Sequence, residues 1–116
     1  MRKKNIYIYV IIVLFLVVGA YWYSNYSIPG EYDEFAKCLS ERGVKMYGTN
    51  WCPHCKTQKE IFGKSFRHVD YVNCDYNMNK CLDAGVEGYP TWKINGENYP
   101  GVQTLERLSE LSECEL

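Results

Sequence analysis

The segment Tyr47-Gly48-Thr49-Asn50-Trp51-Cys52-Pro53-His54-Cys55 reads as a strand running into a helix that opens with a pair of cysteines. Two cysteines three apart in the first turn of a helix face the same side, and their Cα separation there suits a disulfide. A helix N-terminus carries about half a positive charge and unpaired N–H groups, which favour a thiolate at Cys52. His54, between the two, can add positive charge or a hydrogen bond. Pro53 fits a first helical turn, where its missing N–H has no partner to lose. Cys52 is therefore the expected attacking nucleophile and Cys55 the resolving thiol, with exchange running through a mixed disulfide on Cys52. Half a zinc site is the competing chemistry, but a second C-x-x-C or an H-x-x-x-H pair is missing. A purely structural disulfide is the other. Placement between a strand and a helix favours the redox role. No metal and no cofactor is expected.

Helix and strand alternate on both sides of this segment. Glu31 to Arg42 is helical by pattern: Tyr32, Phe35, Cys38 and Leu39 share a face, and Gly43 ends it. Val44 to Tyr47 is a short buried strand. A helix runs from residue 52 to about 64, a strand from His68 to Asn73, and a helix from Asn77 to Ala84 that stops at Gly85. Thr91 to Ile94 is a strand, and Asn95-Gly96 is a strong hairpin signal that returns Glu97 to Tyr99 antiparallel. Thr104 caps a last helix through Leu111. This order predicts an α/β layer with a mixed sheet.

The chain has 116 residues, enough for one globular domain and a short appendage. Its net charge of −1 and lack of a basic block do not suggest nucleic acid as a main ligand. Hydrophobic residues at 47% exclude a disordered chain. The charge is unevenly placed. Arg2, Lys3 and Lys4 are basic, no charge follows until Glu31, and residues 29–116 carry a net −4. Ile6 to Trp22 is almost wholly apolar; a helix of ~18 residues would span ~27 Å, close to the ~30 Å bilayer core. The basic cluster before it predicts a cytoplasmic N-terminus and an exported domain, and Tyr21, Trp22, Tyr23 and Tyr26 follow as an interfacial belt. The expected organisation is a single-pass anchor over 1–23, a linker over 24–30 and a domain over 31–116. A cleaved signal peptide, with Val18-Gly19-Ala20 at the cut, and a buried core element are the competing readings. All six cysteines lie in residues 29–116, a density that suits an oxidising compartment.

With these residues placed, Tyr47 to Cys55 resembles the active-site strand and helix of the thioredoxin superfamily, and Gly85-Val86-Glu87-Gly88-Tyr89-Pro90-Thr91 resembles its cis-proline loop. More narrowly, Lys45-Met46-Tyr47-Gly48, Trp51 to Cys55, Gln58-Lys59-Glu60 and Tyr89-Pro90-Thr91-Trp92 look like the thioredoxin-like domain fused to bacterial vitamin K epoxide reductase homologues. The resemblance covers about residues 35–114. It implies a thioredoxin-like fold, a mixed four-stranded sheet flanked by helices, preceded here by one transmembrane helix. It also implies a cis Tyr89–Pro90 bond beside the cysteines, with the Tyr89 backbone open to an extended substrate segment. The four-helix reductase part of such fusions does not occur in these 116 residues, so the expectation is the oxidoreductase domain on its own anchor.

Three departures bear on the expected direction of electron flow and on the sheet. Thioredoxins carry a buried acid where this chain has Met46, which argues against a cytosolic reductase. Pro53-His54 is similar to the dipeptide of DsbA, an oxidant whose reduced form is stabilised. The usual first strand before the first helix is not evident, which leaves four strands.

Four cysteines remain. Cys74 and Cys81, seven residues apart across a turn, read as a structural staple, with a redox relay or free thiols as alternatives. Cys38 reads as a buried thiol or as the partner of Cys114, a pairing that would tie both ends of the domain and contribute about 4 kcal/mol. Six cysteines allow fifteen pairings. Trp51 is expected to line a substrate groove with Tyr89 and Pro90, or to be a packed rim aromatic. Trp92 reads as core, His68 as a surface or strand histidine, and Lys56, Lys59 and Lys64 as a solvated helix face.

The expected function is a membrane-tethered thiol-disulfide oxidoreductase on the extracytoplasmic side of the cytoplasmic membrane. It would donate disulfides to exported cysteine proteins. The resemblance implies reoxidation by a quinone-linked partner, a vitamin K epoxide reductase homologue or a DsbB-like protein. An isomerase or reductase fed by a membrane electron donor is the alternative within the class. A tethered chaperone or metal-binding module without turnover is the alternative outside it.

Overall fold

The computed structural model describes residues 2–116. Met1, the first residue of the expected anchor, lies outside the described residues. Helix α1 spans Arg2–Ser27, so residues 24–27, expected as linker, continue the helix. It is long and apolar enough to cross a membrane, and none of its apolar stretch is buried against the domain. Its C-terminal end meets the domain where Lys64 Nζ donates to the Asn25 carbonyl and an Arg67 N–H to the Tyr26 carbonyl, each at 3.5 Å.

The domain runs α2 (Asp33–Glu41), β1 (Lys45–Gly48), α3 (Pro53–Phe62), β2 (Asp70–Asn73), α4 (Met78–Asp83), β3 (Thr91–Ile94), β4 (Glu97–Pro100) and α5 (Leu105–Ser112). The four strands form one sheet in the order β2-β1-β3-β4. β1 pairs parallel with β2, through Met46 opposite Tyr71, and antiparallel with β3, through Met46 opposite Trp92. β3 and β4 pair antiparallel around Asn95-Gly96, whose backbones sit at φ 52° and 79°, as a tight two-residue hairpin requires. This is the mixed four-stranded sheet expected, with the two parallel strands linked through α3.

Alternation along the strands sorts the core onto two faces. Met46, Trp92 and Ile94 pack with Phe35 and Leu39 of α2, Phe62 of α3, and Leu105 and Leu108 of α5. Tyr47 faces the other way, against Cys74, Cys81 and Val86, under α4. Phe62 is the hub of the first face, its ring centroid 6.2 Å from Phe35 and 5.9 Å from both Phe66 and Trp92.

Within the domain, the segment after α3 differs from expectation. The helix expected to reach residue 64 ends at Phe62, where Gly63 takes φ 59°, and a 3-10 turn covers Gly63–His68. The strand expected from His68 therefore starts at Asp70. Tertiary contacts hold this turn: Ser65 Oγ accepts from Tyr32 N–H at 2.8 Å, and Arg67 pairs with Asp33 at 3.2 Å.

Candidate functional site

The site begins at the N-terminus of α3. Cys52 caps the helix in an extended conformation, and the Cys55 N–H donates to its sulfur at 3.3 Å. Pro53 fills the first helical position, so no unpaired N–H is lost there. Cys52 lies in the turn that leads from β1 into α3, and both thiols are buried: Cys52 at 5% exposure and Cys55 at 0%. His54 is exposed on the first turn of α3.

The loop before β3 closes over the cysteines. Tyr89–Pro90 is cis, and the Cys52 thiol points at the Tyr89 carbonyl, 3.6 Å away. Thr91 Oγ1 donates to the Gly88 carbonyl at 2.7 Å, and Gly101 N–H to the Pro90 carbonyl at 2.7 Å, which tie the loop to itself and to the strand edge. Trp51 stands above the turn, 66% exposed and edge-on to Tyr89 with centroids 6.2 Å apart. The structure thus brings Trp51, Cys52, Cys55, Tyr89 and Pro90 together at one end of the sheet.

The other cysteines are elsewhere and paired. Cys74 bonds Cys81 on the α4 face, and Cys38 bonds Cys114, tying α2 to the C-terminal tail. Cys52 and Cys55 are the two free thiols. Among the described residues no group of three or more His, Cys, Asp or Glu is placed to hold a metal ion.

Burial is the main influence on Cys55. It pushes the thiol up to about 11, assisted by the hydrogen bond with Cys52; the Thr49 backbone and the Lys59 ammonium pull the other way. A thiol so placed is protonated near neutral pH. Tyr71, on β2, is likewise pushed up to about 12, by burial first and then by the cysteines and Asp75.

Two groups near the cysteines were not among the expected site residues. Gln58 is fully buried: its Oε1 accepts from Trp92 Nε1 at 3.0 Å and from Gln103 N–H at 2.7 Å, and its Nε2 donates to the Gln103 carbonyl at 2.9 Å. Lys59, expected on a solvated face with Lys56 and Lys64, is instead half-buried. Its ammonium lies 4.3 Å from the Tyr71 ring centroid and 5.6 Å from that of Phe66. A polar residue one helical turn beyond a C-x-x-C was the available signal for both.

The fold is thioredoxin-like, a mixed sheet with the cysteine pair at a helix start and a cis-proline loop against it. No protein-family model matches the chain. Over 86 residues it is 41% identical to the thiol-disulfide oxidoreductase LTO1 of Arabidopsis thaliana, covering 66% of this chain and 23% of that protein. It is 31% identical over 74 residues to the protein disulfide-isomerase MPD1 of Saccharomyces cerevisiae, covering 57% of this chain and 23% of that one. It is 28% identical over 79 residues to a thioredoxin of Methanocaldococcus jannaschii, covering 62% of this chain and 93% of that one. The chain thus spans 23% of the length of each of the first two relatives.

Proposed function

We propose that the protein is a membrane-tethered thiol-disulfide oxidoreductase that donates disulfides to exported cysteine proteins. One observation carries the exchange chemistry: four cysteines pair off, and the two left free form the C-x-x-C at the start of α3, against the cis-proline loop. The names of two relatives, a thiol-disulfide oxidoreductase and a protein disulfide-isomerase, support the same class.

In the oxidised form a substrate thiolate attacks Cys52 Sγ. The Cys52–Cys55 bond breaks, its electron pair passes to Cys55, and Cys55 takes up the proton that the substrate thiol gave to solvent. A second substrate thiol, having lost its proton to solvent, attacks as thiolate the substrate sulfur of the mixed disulfide and releases Cys52, which takes up that proton. The substrate gains a disulfide and the protein holds two electrons and two protons. A quinone-linked membrane protein, of the vitamin K epoxide reductase or DsbB type, returns the pair to the disulfide.

Tethering rests on α1, with its basic start and its aromatic C-terminal end. The donor direction rests on Pro53-His54 and on Met46 standing where a thioredoxin has an acid.

The test is the reduction potential of the full chain in detergent, equilibrated with glutathione buffers. A value near about −120 mV supports the donor. A value near about −270 mV reverses the direction to a reductase. Absence of a reversible couple overturns the enzyme and leaves a binding module. In parallel, Cys55→Ala should trap substrates on Cys52.

A further inference from the structure

Behind Cys55 lies a buried polar atom with no partner. The Tyr71 hydroxyl is inaccessible to water and makes no hydrogen bond. Buried polar atoms are nearly always paired, so an orphan needs a reason. Gly48 locates it. A Cβ at Gly48 would lie 2.8 Å from Cys55 Sγ and 3.5 Å from Tyr71 Oη, so the thiol and the hydroxyl both border that point without being hydrogen-bonded to each other. Only a glycine leaves that space open. The Lys59 ammonium sits on the same ring, 4.3 Å from its centroid.

We propose that the Tyr71 hydroxyl is the hydrogen-bond donor that receives Cys55 as a thiolate, with Lys59 holding the ring and balancing the charge. This rests on the exchange chemistry above and deepens it. The orphan is then a donor awaiting its acceptor, because a neutral thiol is a weak acceptor and a thiolate a strong one.

Besides Tyr71, the Thr49 backbone is the hydrogen-bonding group that favours the Cys55 thiolate. Cys55 is fully buried, so solvent does not solvate its charge. Met46, the β1 residue paired with Tyr71, offers no side-chain donor. The titratable groups that act on this pair are Cys52 and Lys59 from α3 and Asp75 from the turn after β2. Of these only Lys59 is positive. Tyr71, pushed up to about 12, keeps its proton at every pH where the enzyme would work. It therefore donates a hydrogen bond without giving up the proton.

In the donor direction, the electron pair of the Cys52–Cys55 bond arrives on Cys55 Sγ as Tyr71 O–H turns its dipole to it; a proton from solvent then neutralises the thiolate. In the reverse direction Cys55 loses that proton to solvent. Its thiolate, held by Tyr71, attacks Cys52 Sγ of a mixed disulfide, forms the Cys52–Cys55 bond and expels the partner thiolate.

The experiment follows collapse of the Cys52–glutathione mixed disulfide to the Cys52–Cys55 disulfide, in the full chain in detergent, by acid quench and mass spectrometry across pH. Tyr71→Phe removes one hydroxyl and keeps the ring. Collapse should slow about tenfold at each pH on the rising limb, the worth of one hydrogen bond to a charged sulfur. Lys59→Met should slow it as well, and Lys59→Arg should restore it. Alkylation of Cys52 in a Cys55→Ala background should not respond to Tyr71→Phe. Collapse within twofold of wild type in Tyr71→Phe overturns the inference, as does an equal loss of Cys52 reactivity. If Tyr71→Phe loses its circular-dichroism spectrum, Lys59→Met decides by the same twofold limit. A wild-type chain with no reversible glutathione couple fails the functional reading instead. A reversible couple indifferent to Tyr71→Phe fails this inference alone.

Discussion

The Trp51 indole N–H donates to Asp75 Oδ1 at 3.0 Å, while Asn50 N–H donates to the other oxygen of the same carboxylate at 3.2 Å. One side chain from the turn after β2 thus fixes the segment that leads into Cys52. It holds an exposed aromatic where a passing polypeptide can meet it, and exposed aromatics of this kind anchor interfaces.

Asp75→Ala should therefore act on substrate binding more than on stability. An exposed hydrogen bond lies at the low end of the range, about 0.5 kcal/mol or less, because water takes over its groups when it is lost. The expected result is a melting temperature close to wild type and a KM for a cysteine-containing peptide raised roughly fivefold, the equivalent of ~1 kcal/mol. Steady-state kinetics on a fluorescent dithiol peptide measures it. An unchanged KM would show that Trp51 does not meet the substrate.

Gln58 predicts the opposite balance. Gln58→Leu leaves Trp92 Nε1, the Gln103 N–H and the Gln103 carbonyl without their present partners. Each unpaired buried group costs about 1–3 kcal/mol, so a loss of at least ~3 kcal/mol is expected. Urea unfolding followed by tryptophan fluorescence gives the figure. A loss below about 1 kcal/mol would mean that water takes over the three bonds.

What could be read in advance was what is local in the chain. Cys52 to Cys55 opens a helix because Pro53 and the cap residue are contiguous, and Asn95-Gly96 declares its hairpin by itself. The turn Gly63–His68 stayed hidden because Ser65 and Arg67 are held by Tyr32 and Asp33, more than thirty residues away. Lys59 reads as a surface lysine until the parallel register of β1 with β2 brings Tyr71 beneath it. The tie between Trp51 and Asp75 spans 24 residues and has no sequence period at all.

The two disulfides should contribute unequally. Cys38–Cys114 closes a separation of 76 residues and Cys74–Cys81 one of 7. Chain entropy alone assigns the first about 4.5 kcal/mol and the second about 2.5 kcal/mol. Cys38→Ser/Cys114→Ser should therefore lose more stability to urea than Cys74→Ser/Cys81→Ser. The second pair sits beside Asp75, so its removal should raise the peptide KM as Asp75→Ala does. Equal losses from the two double variants would discount loop closure as the cause.

Asp33 supplies the pH dependence. Its carboxylate accepts from Gly30 N–H at 3.0 Å and from the Arg67 guanidinium at 3.2 Å, where the end of α1 meets the domain. Burial pushes its pKa up, but the Ser65 hydroxyl, the Gly30 N–H and the charges of Arg67 and His68 outweigh that, and hold it below the ordinary 3.8. A carboxyl group with a depressed pKa in the folded state binds protons more readily once unfolded. Its stabilisation is fully present above 3.8 and is lost as pH falls through the lower folded value. Asp33→Asn should melt below wild type at neutral pH, and the gap should begin to shrink as pH falls below 3.8 and close beneath the lower folded value. Arg67→Met should narrow the same gap, because it removes one of the charges responsible. A difference between wild type and Asp33→Asn that stays constant down to acid pH would assign the role of Asp33 to the shape of its hydrogen bonds rather than to its charge.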